Sequence, residues 1–261
     1  MPAVSIITTI FNAAPFLGEA IESVLAQRGA ADWELLLVDD GSTDESARIA
    51  SDYCARDPRL QLVTHPGGEN RGISASRNAG LRRVRAPLVA FLDADDVWLP
   101  GKLRFQMDIL AAHPEVAMTF GAAERWYSWD PAETHAEDFV VPAMVPGIGT
   151  DTLVAPPELL RAYLQDESLT PCTCTVLVRR EAVDRVGGFE ESFPGLYDDQ
   201  VFYAKLCSKE SVFVTSECLA RYRQHDSSCC ATARRLRTEQ RGRDIFLHWL
   251  RAYYPQSAAW C

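Results

Sequence analysis

The stretch LVAFLDADDVW, from Leu88 to Trp98, decides the fold. Leu88-Val89-Ala90-Phe91-Leu92 is a short apolar run that ends abruptly in carboxylates at Asp93, Asp95 and Asp96. An apolar run of this length, bounded by charge, reads as a strand buried on both faces. Carboxylates at the carboxyl edge of such a strand in an α/β sheet stand where these sheets bind ligands. Side chains alternate along extended chain, so Asp93 and Asp95 are expected to point the same way and share one cation. Hard divalent ions such as Mg²⁺ take oxygen ligands and keep waters and substrate phosphates in their other positions. The expectation is a metal–diphosphate site.

On the N-terminal side of this stretch, strands and helices alternate. Val4 to Ile10 reads as a first strand, followed by a helical pattern from Ala13 to Gln27 with Phe16, Leu17, Ala20, Ile21, Val24 and Leu25 on its apolar stripe. Trp33 to Val38 is a second strand ending in Asp39-Asp40-Gly41-Ser42-Thr43-Asp44. Gly41 suits a sharp turn there, and Ser42 or Thr43 can cap the helix that follows. Leu60 to Thr64 is a third strand, and a helix opens within 72–80, with Ser74 as its candidate cap. Such alternation calls for a parallel sheet with right-handed crossovers, a Rossmann-like nucleotide-binding half over the first 120 residues. Neither G-x-G-x-x-G nor G-x-x-x-x-G-K-[ST] occurs in that half, which disfavours nicotinamide and flavin dinucleotides and P-loop chemistry. Phosphates then need another anchor, and a metal on Asp93 and Asp95 supplies one.

On the C-terminal side a helix is expected from Lys102 to Ala112 and a strand from Val116 to Phe120. The proline-rich span 121–171, with Trp126, Tyr127 and Trp129 close together, reads as a variable insertion whose aromatics form a small local core or stack on sugar rings. A strand at Val176 to Val178, a helix at Arg180 to Val186 and a helix opening at Asp198-Asp199 follow, then a strand from Val212 to Leu219. Two acids at a helix start are already favoured by the helix dipole. From Arg234 to Tyr254 one amphipathic helix is expected, with Ile245, Phe246, Trp249, Leu250 and Tyr253 as its stripe behind a basic lead. Such a helix either packs on its own domain or makes peripheral contact with an anionic membrane or a partner.

A chain of 261 residues with a net charge of −10 lacks the basic footprint that nucleic acid requires. Its start, MPAVSIITTI, has no basic leader, and no run approaches a membrane span, so a cytoplasmic protein is expected, free or at the inner face of the cell membrane. Eight cysteines at irregular spacing read as reduced, mostly structural thiols, with the Cys172-Thr173-Cys174 pair set apart by its closeness.

Taken together, VSIITTIFNAAPFLGEAIESVLAQ, WELLLVDDGSTDES, GISASRNAGL, FLDADDVWLPGKL, RREAVDRVGGFEESF and YDD resemble the family 2 glycosyltransferases of GT-A fold, densely over 3–120 and more loosely over 172–228. The resemblance implies one catalytic domain over 1–230, with a nucleotide-sugar half (1–120), an acceptor half (121–230) and a helical tail (231–261). It implies inverting transfer from a nucleoside-diphosphate sugar, most commonly a UDP-sugar, to a glycan or glycolipid hydroxyl, with Mn²⁺ or Mg²⁺ as cofactor. Carried over by position, Thr9 and Asp39 match contacts to base and ribose, with Thr8, Asn12 and Asp40 beside them, and Arg77 matches a basic position near the nucleotide. Asp93, Ala94 and Asp95 form the D-x-D, its second acid towards the metal and its first towards the ribose. Asp199 matches the catalytic base, Asp198 stands where the family has glutamate, and His225 matches a histidine near metal or diphosphate. No Gln-x-x-Arg-Trp occurs, which favours transfer of single sugars.

The chemistry is coherent on its own terms. A departing diphosphate gathers charge that a divalent cation stabilises, and the sugar carbon becomes oxocarbenium-like. One carboxylate on the opposite face suffices to deprotonate the acceptor. Two other classes fit parts of the pattern. A haloacid-dehalogenase-type phosphohydrolase also places D-x-D after an apolar strand, but early in the chain and with threonine where Val97 stands. A non-catalytic nucleotide-sugar-binding module would not need Asp39, Asp95 and Asp199 together.

Overall fold

The continuous apolar runs become strands covered on both sides. The computed structural model describes residues 1–29, 32–130, 132, 137–165 and 170–260. Strands β1 (Val4–Ile10), β2 (Trp33–Asp39), β3 (Leu60–Thr64) and β4 (Leu88–Phe91) lie parallel in the order β3-β2-β1-β4. Alternate residues feed two cores. Ile7, Leu36, Val38, Val89 and Phe91 enter one, and Ile6, Leu35, Leu37, Ala90 and Leu92 enter the other. Burial on both faces is why β2 and β4 show no polar alternation, whereas the edge strand β3 is only partly buried. Helices α1 (Ala14–Leu25), α2 (Ser46–Arg56) and α3 (Ile73–Leu81) connect them. The strand order reverses at β1, which leaves a crevice outside the carboxyl ends of β1 and β4.

The helix starts differ from the expected caps. Ser42 and Thr43 cap nothing: α2 begins at Ser46, and Ser42 Oγ instead accepts from Asn12 N at 3.1 Å. Gly72, not Ser74, precedes α3, while Ser74 Oγ donates to Phe193 O at 2.6 Å. Both serines are drawn off by segments distant in sequence, which local cap rules do not register. Gly41 does make the sharp turn, at φ +77°, and a Cβ there would lie 2.7 Å from Gly68 O.

One buried acid ties the bottom of this sheet. Glu34, on β2, accepts from Ser5 Oγ at 2.6 Å and from Arg85 N and Nε at 3.1 and 2.6 Å. Burial pushes its carboxyl up, but the Arg85 and Ser5 hydrogen bonds outweigh that and hold it below the usual range. A depressed folded-state pKa contributes stability above the unfolded-state value, and that stability is lost as pH falls through the folded-state value. Glu34→Gln should cost roughly 1 kcal/mol at neutral pH. It should also flatten the acid side of the stability profile, as read by denaturant titrations from neutral pH down through the carboxylate range. An unchanged acid slope would show that Glu34 does not carry this linkage.

Beyond β4 the sheet becomes mixed. β5 (Val97–Trp98), β6 (Val116–Trp126), β7 (Phe139–Val141), β8 (Thr152–Val154), β9 (Leu177–Arg179) and β10 (Ser211–Arg223) extend it as β4-β9-β6-β10-β5. β7 joins β6 and β8 joins β10. β9 is antiparallel to both its neighbours, whereas β6 and β10 run parallel. β6 runs past Phe120 to Trp126, so the start of the span expected as an insertion is central sheet. The small residues Gly121, Ala122 and Ala123 masked it. Gly121 is required there, because a Cβ would stand 2.5 Å from Glu217 O on the irregular part of β10.

The remaining helices are α4 (Lys102–Ala112), α5 (Glu158–Gln165), α6 (Arg180–Val186), α7 (Asp198–Cys207), α8 (Cys229–Leu236) and α9 (Glu239–Tyr253). The expected single tail helix is two. Arg237 adopts a left-handed conformation at φ 55°, ends α8, and throws the chain into α9. Phe246 and Leu250 are buried in the main core, and Tyr197 stacks on Phe246 at 5.5 Å, so α9 packs on its own domain. Ile245, expected on the stripe, is half exposed instead. No helix among the described residues is long and apolar enough to cross a membrane.

Candidate active site

A cleft of about 1220 Å³ opens at the reversal point, beside the turn that follows β4. That volume lies above the roughly 300–1,000 Å³ of an ordinary ligand pocket. Thr9, Asn12, Asp40, Arg77, Asp93, Ala94, Asp95, Asp199 and His225 all line it. Thr8 and Asp39 do not. Thr8 points the other way along β1 and is buried, and Asp39 Oδ1 is occupied by Ser42 N at 3.3 Å. Asp40, the next residue, does line the cleft, with its carboxylate accepting from Arg71 N at 2.8 Å and Gly72 N at 3.0 Å.

Asp93 and Asp95 take different partners. Alternation needs extended chain, but the strand ends at Phe91 and a turn follows, closed by Asp96 N donating to Asp93 O at 3.1 Å. Asp93 Oδ1 receives Arg77 Nη2 at 2.8 Å. Asp95 Oδ2 lies 3.0 Å from His225 Nε2, whose Nδ1 is oriented by Ser227 Oγ at 2.7 Å. Asp95 and His225 therefore form the converging pair. Among the described residues no group of three or more histidines, cysteines and acids could hold a metal ion. Two protein ligands suit Mg²⁺ or Mn²⁺, which complete their shells with water and substrate phosphates, and do not suit a closed all-protein site.

Arg77 is the electrostatic centre. It is 3% exposed and bridges Asp93 on the turn to Asp198 at the start of α7, over the Phe189 ring. Burial opposes its charge, but Asp198 and Asp93 outweigh that and keep it a cation. Burial raises the carboxyls of Asp198 and Asp199, Arg77 pulls both back, and neighbouring acids push them up again. Asp198 is thus committed to Arg77, while Asp199, half-buried, stays on the cleft wall with Oδ1 accepting from Gln200 N at 2.7 Å. A carboxylate more basic than usual and facing a cavity is suited to take a proton.

Sequence reasoning missed Arg223. It is 3% exposed, its Nε donates to Asp95 O at 2.7 Å, and its backbone N donates to Asp96 Oδ1 at 3.0 Å. Glu19 and the rings of Phe16, Trp126 and Trp129 surround its guanidinium. The aromatic cluster is thus mostly a wrapping for Arg223, with Tyr127 alone turned to the cleft beside Phe139. The spacing of Arg223 and His225, two apart at a strand end, was the available signal. Arg223→Lys keeps the charge but cannot hold the turn's carbonyl and Glu19 at once. Activity should fall by about 10–100-fold, as when other supports of a ligand set are lost. A steady-state assay beside a melting curve checks this, and unchanged kinetics would remove Arg223 from the site.

Comparison with known proteins places the chain by family and by fold. The profile of glycosyl transferase family 2 matches residues 5–187. An uncharacterized glycosyltransferase of Bacillus subtilis (strain 168), EpsJ, is 41% identical over 96 residues, 37% of this chain and 27% of its own length. The putative teichuronic acid biosynthesis glycosyltransferase TuaG of the same organism is 38% identical over 109 residues, 42% of each chain. These matches span well under half of those relatives. Among solved structures, S. aureus TarS 1-349 with UDP-GlcNAc superposes with a TM-score of 0.68 at 20% identity, over 89% of this chain and 61% of that one. The mannosyltransferase PcManGT from Pyrobaculum calidifontis, with GDP-Man and Mn²⁺, gives 0.65 at 21% identity, over 92% and 62%. Those likenesses establish the GT-A fold. With a profile that runs from β1 through α6 over that fold, the chain belongs to glycosyl transferase family 2.

Proposed function

We propose that this chain transfers a single sugar from a nucleoside-diphosphate sugar to an acceptor hydroxyl, with inversion and with Mn²⁺ or Mg²⁺, in synthesis of a cell-surface polysaccharide or glycolipid. The observation that carries the reading is the placement of Asp199 on the same cleft as the Asp95–His225 pair, with Arg77 between them. The complexes of TarS with UDP-GlcNAc and of PcManGT with GDP-Man and Mn²⁺ support a nucleotide-sugar donor, and a UDP-sugar is the first to test.

Asp95 and His225 would hold the cation, which when bound neutralises the departing diphosphate. Thr9, Asn12 and Asp40 wall the nucleotide end. Arg77 holds Asp93 and Asp198 in place, so the donor floor and the start of α7 keep a fixed separation. Asp199 takes the acceptor proton as the new glycosidic bond forms on the face opposite the leaving group. One carboxylate there gives inversion without a covalent intermediate.

The test is nucleoside diphosphate release from a panel of UDP-, GDP- and dTDP-sugars with Mn²⁺, with and without chelator. Release that depends on donor and is abolished by chelator is expected. Inorganic phosphate as product would instead indicate a phosphohydrolase, and binding without turnover a non-catalytic module.

A further inference from the structure

Two thiols meet on the cleft wall, near the turn that carries Asp93 and Asp96. Cys172 and Cys174 flank Thr173 at the 3₁₀ turn Thr173–Thr175, and their Sγ atoms are 3.2 Å apart. No other pair of cysteine sulfurs among the described residues is in such contact, and every described cysteine is free, Cys261 lying outside those residues. Cys172 faces the cleft and Cys174 is fully buried behind it. The backbone around them is pinned: Thr175 N and Oγ1 donate to Cys172 O at 2.9 and 2.8 Å, and Trp98 Nε1 donates to Cys174 O at 2.7 Å. Thr173 Oγ1 accepts from the Tyr203 hydroxyl at 3.1 Å, and Tyr203 belongs to α7, whose first turn carries Asp198 and Asp199.

We propose that Cys172 and Cys174 form a dithiol modification site that reacts with small disulfides of the low-molecular-weight thiol class, and that the resulting Cys172–Cys174 disulfide shuts the cleft's activity down. The second half rests on the transferase reading above; the first does not. The exposed Cys172 thiolate attacks one sulfur of the small disulfide, breaks its S–S bond and releases one thiolate, which takes up a proton. Cys174 then attacks Cys172 Sγ in the mixed disulfide and expels the second thiolate, which leaves with the Cys174 proton as a thiol. Two protein thiols become one disulfide, and one small disulfide becomes two thiols. The order follows from access, since only Cys172 meets solvent. Bonding draws the sulfurs from 3.2 Å to about 2.05 Å, a movement of roughly an ångström. Thr173 sits between them and passes that movement to Tyr203 and so to the base of α7.

The full-length protein is equilibrated in buffers of graded reduced and oxidised glutathione, then alkylated and mapped by mass spectrometry, with nucleoside diphosphate release measured in parallel. A Cys172–Cys174 link is expected, with turnover lowered by about 10²-fold, the cost of misplacing a catalytic group by about an ångström, and restored by dithiothreitol. Cys174→Ser should keep the reduced enzyme's activity and lose the sensitivity, while Cys229→Ser with Cys230→Ser should retain it. A map showing only glutathione on Cys172, or a link to Cys229 or Cys230, overturns the site. A linked protein with undiminished turnover overturns the shutdown. Absence of turnover even in reductant would count against the transferase reading and the shutdown with it, and the thiol map would then decide the dithiol site alone.

Discussion

Asp199→Asn leaves donor affinity near that of the wild type and lowers turnover by about 10²–10⁴-fold, the usual share of a positioned general base. The substitution is nearly isosteric, and among the described residues Asp199 makes no ion pair that the amide would break; its Oδ1 accepts from the adjacent Gln200 N. What disappears is the capacity to take a proton on the cleft wall. Calorimetric titration of donor, set against the rate of diphosphate release, separates the two effects. Turnover retained within a fewfold would reject Asp199 as base. Asp198→Asn serves as contrast, because it halves the compensation of a buried guanidinium and should act on stability as well as rate.

Asp95→Ala removes the acidic half of the converging pair and should abolish metal-dependent donor binding. The expected loss in kcat/KM is about 10³-fold, since Lewis-acid stabilisation is worth several kcal/mol and each 1.36 kcal/mol is tenfold. The mechanism is local: His225 Nε2 loses its 3.0 Å partner, while Arg223 still holds the turn through the backbone carbonyl at residue 95. The turn should therefore survive, and the melting temperature without donor should stay close to wild type. Thermal shift with donor, with and without Mn²⁺, reads this out. A donor shift that still grows on adding Mn²⁺ would sink the assignment of Asp95 as ligand.

Elements that are decided locally were legible in the sequence. β2 and β4 are buried on both faces, so residues 35–38 and 88–92 are continuous apolar runs, and α4 and α6 fall where they were expected. The acidic turn after β4 was legible because its cluster of carboxylates marks where the chain leaves the core, whereas the lone buried acid of β2, Glu34, is paired with Arg85 and Ser5. What failed did so through distant partners. Asp93 and Asp95 diverge because Arg77 and His225, far apart in sequence, pull them different ways. The tail breaks at Arg237, where no glycine or proline marks the stop. Arg223 sits in a short arginine-rich run just past the expected late strand, and the fold wraps three aromatic rings around it.

The bridge through Arg77 also bears on inheritance. A cation walled in by acids drawn from residues 93 and 198 cannot lose either one without stranding charge in a dry place. Positions 77, 93 and 198 should therefore drift as a trio or not at all. Chimaeras that take one half of the sheet from a relative should fold only when both ends of that bridge come from compatible parents.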